Sequence, residues 1–325
     1  MNLVKKYSRQ VLNVLKIVIS ISLIILLLWM MRDNLDEVLK TLKRTDLSWY
    51  GITFFLYLLI MLILSYRMKV VFAIPEVYLS LKEALQLNFV GYFFNNFLPT
   101  AAGGDIAKAY LGSRLTKKGI ETIVATLVDR AVGAYSIFLI AGITLMFVRW
   151  ELNNNVLSFV VWGILIVLTV LLLIFPVLIK GINGYLAKKE IQIKGNPASR
   201  FSESTLHYWK RKKESLVTIS LSILTNVLSV IGVYFLTLGL DLIIPFSTLL
   251  WVIPLVFVIN MLPSINGLGI RESAFVFFFG PVVGIENAFA LSILWFSVYL
   301  LIDIVGGFIF LFSKNLRAYK EPQGS

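Results

Sequence analysis

Two segments of this chain carry nearly the same text: Asn96-Phe97-Leu98-Pro99-Thr100-Ala101-Ala102-Gly103 and Asn260-Met261-Leu262-Pro263-Ser264-Ile265-Asn266-Gly267. Each interrupts a long apolar block, the first over 85–115 and the second over 246–280. Neither half of either block reaches the ~20 apolar residues that a helix needs to cross a bilayer. Proline removes a helical hydrogen bond, and glycine permits turns that other residues resist. Each block therefore reads as a re-entrant helical hairpin, with a half-helix in, a break at depth and a half-helix back out. Irregular backbone at that depth persists only where it is buried in protein or lines a wet cavity. The breaks thus predict a polar interior.

The surrounding text extends the pattern. Apolar blocks at about 14–31, 47–66, 121–148, 156–179, 215–240 and 287–312 are each long enough for a full span. The first is preceded by Lys5, Lys6 and Arg9 but followed by Met31-Arg32-Asp33, not by a small-residue cleavage site, so it reads as a retained span. The two breaks are offset by 164 residues, and the same offset carries 47–66 to 211–230 and 121–148 to 285–312. Span–hairpin–span therefore occurs twice, over about 47–148 and 215–312. The span 156–179 and a basic cytoplasmic loop 180–214 join the copies, and that one extra crossing inverts the second. The expected fold is all-α: a single polytopic transmembrane domain over 1–325, with about six full spans and two re-entrant hairpins in an inverted repeat. Inverted repeats with broken helices meeting at the midplane are characteristic of alternating-access transporters.

Composition agrees with a membrane protein. Of 325 residues, 58% are hydrophobic and 15% charged, with mean hydropathy +0.85. Soluble domains carry about 25% charged residues. A disordered chain, a disulfide-stapled domain and an ordinary soluble enzyme are excluded, and long apolar blocks in place of alternation exclude a barrel. With no Cys and one His, thiol chemistry and Cys/His metal clusters are unavailable, and no GxxxxGK[ST] motif is present. No cofactor is expected. The net charge of +12 lies between apolar blocks, which points to anionic lipid head groups and not to nucleic acid. With the N-terminus inside, 23 Lys and Arg fall on the inner side and 5 on the outer, which favours both termini in the cytoplasm. The run Lys210-Arg211-Lys212-Lys213 is an inner anchor, and His207 is expected in a solvated loop beside it.

The candidate site residues cluster at the breaks. Pro99, Thr100, Gly103 and Gly104 mark the first, and Pro263, Ser264, Gly267 and Gly269 the second. The glycines either admit a head group to the backbone or allow tight helix packing. The second arms begin near Asp105 and Ile270, and a helix N-terminus favours an anion. Asp105 either caps its helix or marks a pathway. Lys108 lies on the same helical face, as a head-group contact or as a lysine reaching for the interface. Arg130 stands about 14 Å into its span, where an unpaired cation is costly, and Asp105 is the expected partner. Adjacent Asp129 faces elsewhere. Arg271 and Glu272 give the second break one cation and one carboxylate. Asp303 completes a polar cluster or relays protons. Asn95, Asn96 and Asn260 line the cavity or satisfy backbone freed by the prolines.

At these motifs the chain resembles the transmembrane-domain family of the lysylphosphatidylglycerol synthase/flippase proteins. The residues carrying the resemblance are Asn96 to Asp105 with Lys108, Asp129-Arg130-x-x-Gly133, and Leu262 to Glu272. The resemblance covers about 10–312, and Lys108 stands where Arg is expected in many members. It implies a membrane lipid flippase or a protein handling lipid-linked carriers. With 13 residues after the last apolar block, no lysyl-transferase domain is expected, so a transporter is favoured over a phosphatidylglycerol lysyltransferase. The first expectation is a flippase of the bacterial cytoplasmic membrane. It would move a phosphate-bearing lipid (an aminoacylated phospholipid, a glycolipid or a polyprenyl-phosphate-linked sugar) between the hairpins. The alternatives are a lipid-modifying enzyme with Asp105 and Glu272 as acid and base, and an accessory subunit of a separate synthase or glycosyltransferase.

Overall fold

The computed structural model describes residues 35–97, 103–152, 159–170, 174, 197–260 and 267–313. All regular structure among them is helical. The helices are α1 Leu35–Lys43, α2 Leu47–Ala73, α3 Leu81–Phe97, α4 Gly103–Thr116, α5 Gly119–Leu152, α6 Phe159–Val170, α7 Pro197–Lys210, α8 Lys212–Gly239, α9 Phe246–Ile259, α10 Ile270–Val283 and α11 Ile285–Phe312. Helices α2, α5, α8 and α11 are long and apolar enough to cross a membrane. At 1.5 Å per residue each exceeds the ~30 Å hydrocarbon thickness, whereas α3, α4, α9 and α10 fall short of it.

Local chemistry sets the ends. Asp46 caps α2, its carboxylate accepting the Ser48 N–H at 2.8 Å. Pro245, with φ −57°, leads into α9. Gly267 and Gly269 sit at φ +73° and +81°, a left-handed path that residues with a Cβ resist, and they turn the chain into α10. The order long, short, short, long appears twice. Adding 164 to the starts of α2, α3, α4 and α5 gives 211, 245, 267 and 283, against observed starts at 212, 246, 270 and 285. The packing exchanges in the same sense: α2 lies along α8, α3 packs on α11, and α9 packs on α5.

Close approach depends on small residues. A Cβ on Gly306 would lie 2.2 Å from the Phe89 carbonyl oxygen, so α11 and α3 touch backbone to backbone. The core between α2, α8, α10 and α11 centres on Tyr57, Trp295 and Phe275, all buried. Trp295 donates to the Tyr57 hydroxyl at 2.6 Å, and the Tyr57 ring lies edge-on to Tyr299. Tyr57→Phe should cost about 1 kcal/mol, because the buried indole N–H loses its acceptor. Thermal unfolding of the purified protein in detergent checks this; no change would mean that the indole finds another partner. The perimeter is apolar, with Phe55 and Phe277 among its most exposed residues.

Several boundaries shift from the sequence reading. The second span runs on to Ala73, past the expected end at 66, and so takes Arg67 into a helix. Block 14–31 lies outside the described residues. Of 156–179, the helix 159–170 and Ile174 are described. The basic segment 180–214 is not all loop: 197–210 is the amphipathic helix α7. Its Arg200 forms a fork with Glu121 on α5 at 2.9 and 2.8 Å, and Tyr208 donates to the Val71 carbonyl at 2.9 Å. Burial pushes the Tyr208 phenol up, and the charge of Asp129 adds to that, so it remains a neutral donor. His207 is half-buried on this helix, not solvated in a loop. Serines and threonines (Ser202, Ser204, Thr205) form much of the buried face, which is why apolar periodicity does not reveal it.

Candidate functional site in the bundle interior

Arg67 organises the interior. It projects from α2 and is 8% exposed. Its Nε donates to Asp129 Oδ1 of α5 at 2.9 Å, and a terminal nitrogen donates to Ser222 Oγ of α8 at 2.9 Å. Burial of such a pair is tolerated only with good geometry and further hydrogen bonds. Gly133, one turn beyond Asp129, keeps the room open: a Cβ there would stand 3.6 Å from the guanidinium.

Beside this pair is a cavity of about 200 Å³, lined by Arg67, Tyr57, Tyr92, Asn226, Ser229 and Tyr299 among others. Helix α8 supplies its polar wall through Thr225, Asn226 and Ser229, spaced to share a face. Asn226 donates to Ser136 Oγ at 2.8 Å. The Tyr92 phenol lies within electrostatic range of Arg67, Asp303, Asp129 and Asp105.

Arg130 turns the other way. Its guanidinium donates to Asp105, the partner expected from sequence, with side chains 39% and 25% exposed. Asp105 is the third residue of α4, not its cap, and spends its carboxylate on this ion pair. Helices α3 and α4 close on each other: Gly104 N–H donates to Asn95 Oδ1 at 2.7 Å, and a Cβ on Gly104 would lie 2.1 Å from the Gly91 carbonyl. Lys108 does not reach for the interface. It is 8% exposed, its stem lies against Gly91, and its ammonium faces the Tyr92 ring 5.6 Å from the centre.

The second break is built differently. Arg271 donates to Glu272, both buried, and its guanidinium stacks 4.2 Å from the centre of the Phe296 ring. Glu272 also accepts the Gly269 N–H at 2.6 Å, so the protein's own carboxylate occupies the start of α10. Asn260 Oδ1 is buried beside Gly267 and accepts no hydrogen bond among the described residues. Asp303 is buried on α11. Asn96 lies in α3. Pro99, Thr100, Pro263 and Ser264 lie outside the described residues. Among the described residues no group of three or more His, Cys, Asp or Glu is placed to hold a metal ion.

Sequence reasoning missed Arg67, Tyr92 and the α8 face. One signal for the last was present: Thr218, Ser222, Thr225 and Ser229 recur at steps of four, three and four.

These features define an integral membrane protein: a polytopic helical bundle with a charged, partly hollow interior. The chain belongs to the family described as the lysylphosphatidylglycerol synthase TM region, which matches residues 13–307. It is similar to UPF0104 membrane protein MJ1595 of Methanocaldococcus jannaschii, 30% identical over 132 residues, which is 39% of each chain. It is also similar to UPF0104 membrane protein PH1989 of Pyrococcus horikoshii, 23% identical over 330 residues, covering 93% of this chain and 97% of that protein.

Proposed function

We propose that this protein is a lipid flippase, moving a phosphate-bearing lipid between leaflets while the acyl chains stay in the bilayer. The observation that carries the reading is the cavity beside the buried Arg67–Asp129 pair, with Arg67 in its wall, inside a largely apolar bundle. Charged groups within a membrane are expensive and mark substrate or ion pathways. Family membership supports a lipid-related role. Guanidinium groups suit phosphate by charge and fork geometry. Arg130 and Arg271 are the proposed phosphate contacts, with Asp105, Glu272 and Asp303 balancing their charge. Lys108, Asn96 and Asn260 line the route.

The matching order of α2–α5 and α8–α11 supports a repeat whose halves rock against each other. The Lys/Arg count supports a cytoplasmic membrane location with both termini inside. A separate synthase or glycosyltransferase would supply the lipid.

The test is reconstitution in liposomes with a panel of head-group-labelled lipids, following loss of outer-leaflet protection. Arg130→Ala should slow movement at least about tenfold, the cost of one lost charge-assisted contact. Arg271→Ala should do the same, provided that the variant still folds with Glu272 left unpaired. No movement of any lipid by folded wild-type protein would refute the reading.

A further inference from the structure

An exposed apolar flank of α4 and α5 lies beside a charged pair. Ile106 and Tyr110 on α4, and Ile123 and Leu127 on α5, are each about half exposed. Arg130 follows Leu127 by three residues on the same face of α5, and it is bonded to Asp105, the residue before Ile106 on α4. The two helices meet at Lys117-Lys118, and each member of the pair lies 12 residues from that turn, or about 18 Å along its helix. An exposed apolar surface on α4 and α5 therefore adjoins an ion pair that is itself partly exposed.

Lys108 stands behind that pair. It has no hydrogen bond or ion pair among the described residues, and the Tyr92 ring provides its polar contact. Arg67 and Tyr92 in turn line the cavity.

We infer that the α4–α5 face is a lateral entrance for the phosphate of an anionic membrane phospholipid. Arg130 is its first contact, and Lys108 is the relay that hands it to Arg67. The acyl chains remain outside, along Ile106, Tyr110 and Leu127. The inference rests on the flippase reading but concerns only where the head group enters. The partly exposed Arg130 guanidinium, with Lys108 behind it, suits an anion, and the apolar flank suits one that carries chains. Arg130 exchanges Asp105 for the phosphate, since its planar fork suits both. The second hairpin offers no equivalent opening at its cation, because the Arg271 and Glu272 side chains are 6% and 9% exposed and closed over by Phe296.

A benzophenone amino acid at Ile106 of the full chain, reconstituted in phosphatidylethanolamine vesicles, tests this by photolabelling of a radioactive phosphatidic acid tracer. Phe277, exposed on the second hairpin, is the control position. Labelling at Ile106 should exceed labelling at Phe277 by about fivefold, a preference of roughly 1 kcal/mol. The excess should vanish in Arg130→Gln and Lys108→Met and return in Lys108→Arg. A diacylglycerol tracer, which lacks the phosphate, should label both positions alike. Equal labelling by phosphatidic acid, or an excess that survives both substitutions, overturns the entrance. If Lys108→Met does not fold, Arg130→Gln on the exposed face decides. Ile106 excess without transbilayer movement in the liposome assay upholds the entrance and refutes transport. Movement without Ile106 excess refutes the entrance alone.

Discussion

Arg67→Met should destabilise the protein by about 3 kcal/mol, because it strips the partner from a buried carboxylate. Asp129 is 8% exposed, and its Oδ1 accepts from Arg67 at 2.9 Å. Methionine keeps much of the side-chain volume, so the loss reports charge more than packing. The hydrogen bond to Ser222 makes a smaller contribution, and Ser222→Ala alone should cost about 1 kcal/mol or less. The decisive variant is Arg67→Met with Asp129→Asn. Removing both charges leaves no orphan, so the double variant should recover most of the loss, with a coupling of about 2 kcal/mol. Thermal unfolding of the four proteins in detergent measures the cycle. Additive effects would mean that Asp129 draws its stability from another source. Under the proposed flippase function, the same double variant should move lipid poorly in spite of its recovered stability, because the cavity would have lost its cation.

Gly306→Val should separate α11 from α3. The added Cβ would sit 2.2 Å from the Phe89 carbonyl oxygen and 2.8 Å from its carbon, and neither backbone atom can rotate aside. The Phe93 Cβ, 3.2 Å away, closes the remaining direction. Overpacking of this kind costs about 1–3 kcal/mol, and contact with backbone places it at the upper end. Gly51→Ala is the control: nothing lies within 4 Å of its Cβ position, and stability should hold or rise by up to about 1 kcal/mol, since alanine favours the helix. A Gly306 variant as stable as wild type would mean that α3 and α11 can slide apart without penalty.

Much of the architecture is legible along the chain, because lipid is a one-dimensional filter. A segment of ~20 apolar residues must satisfy its backbone internally and so becomes a helix whatever surrounds it. That reasoning located α2, α5, α8 and α11, and the Pro/Gly text located the divisions between α3 and α4 and between α9 and α10. It also paired Arg130 with Asp105, since a cation at that depth needs a carboxylate close by. It did not find Arg67. Lys69 follows closely, and the charged stretch reads like the end of a span, yet the helix continues to Ala73. Nor did it show that Glu272 reaches back to Gly269 N–H and holds Arg271, because that arrangement depends on the turn made by two left-handed glycines.

What the sequence determined by itself is the solvent of each segment: which stretches lie in lipid, where they break, and how the second set echoes the first. Local composition and hydrogen-bond satisfaction suffice for that. Only the tertiary structure decided which charges meet. Arg67 bonds to a carboxylate 62 residues away and to a hydroxyl 155 residues away, and Arg130 to a carboxylate 25 away. Those choices follow from which helix faces are buried against each other, and a buried charge takes its partner from whatever face lies across from it.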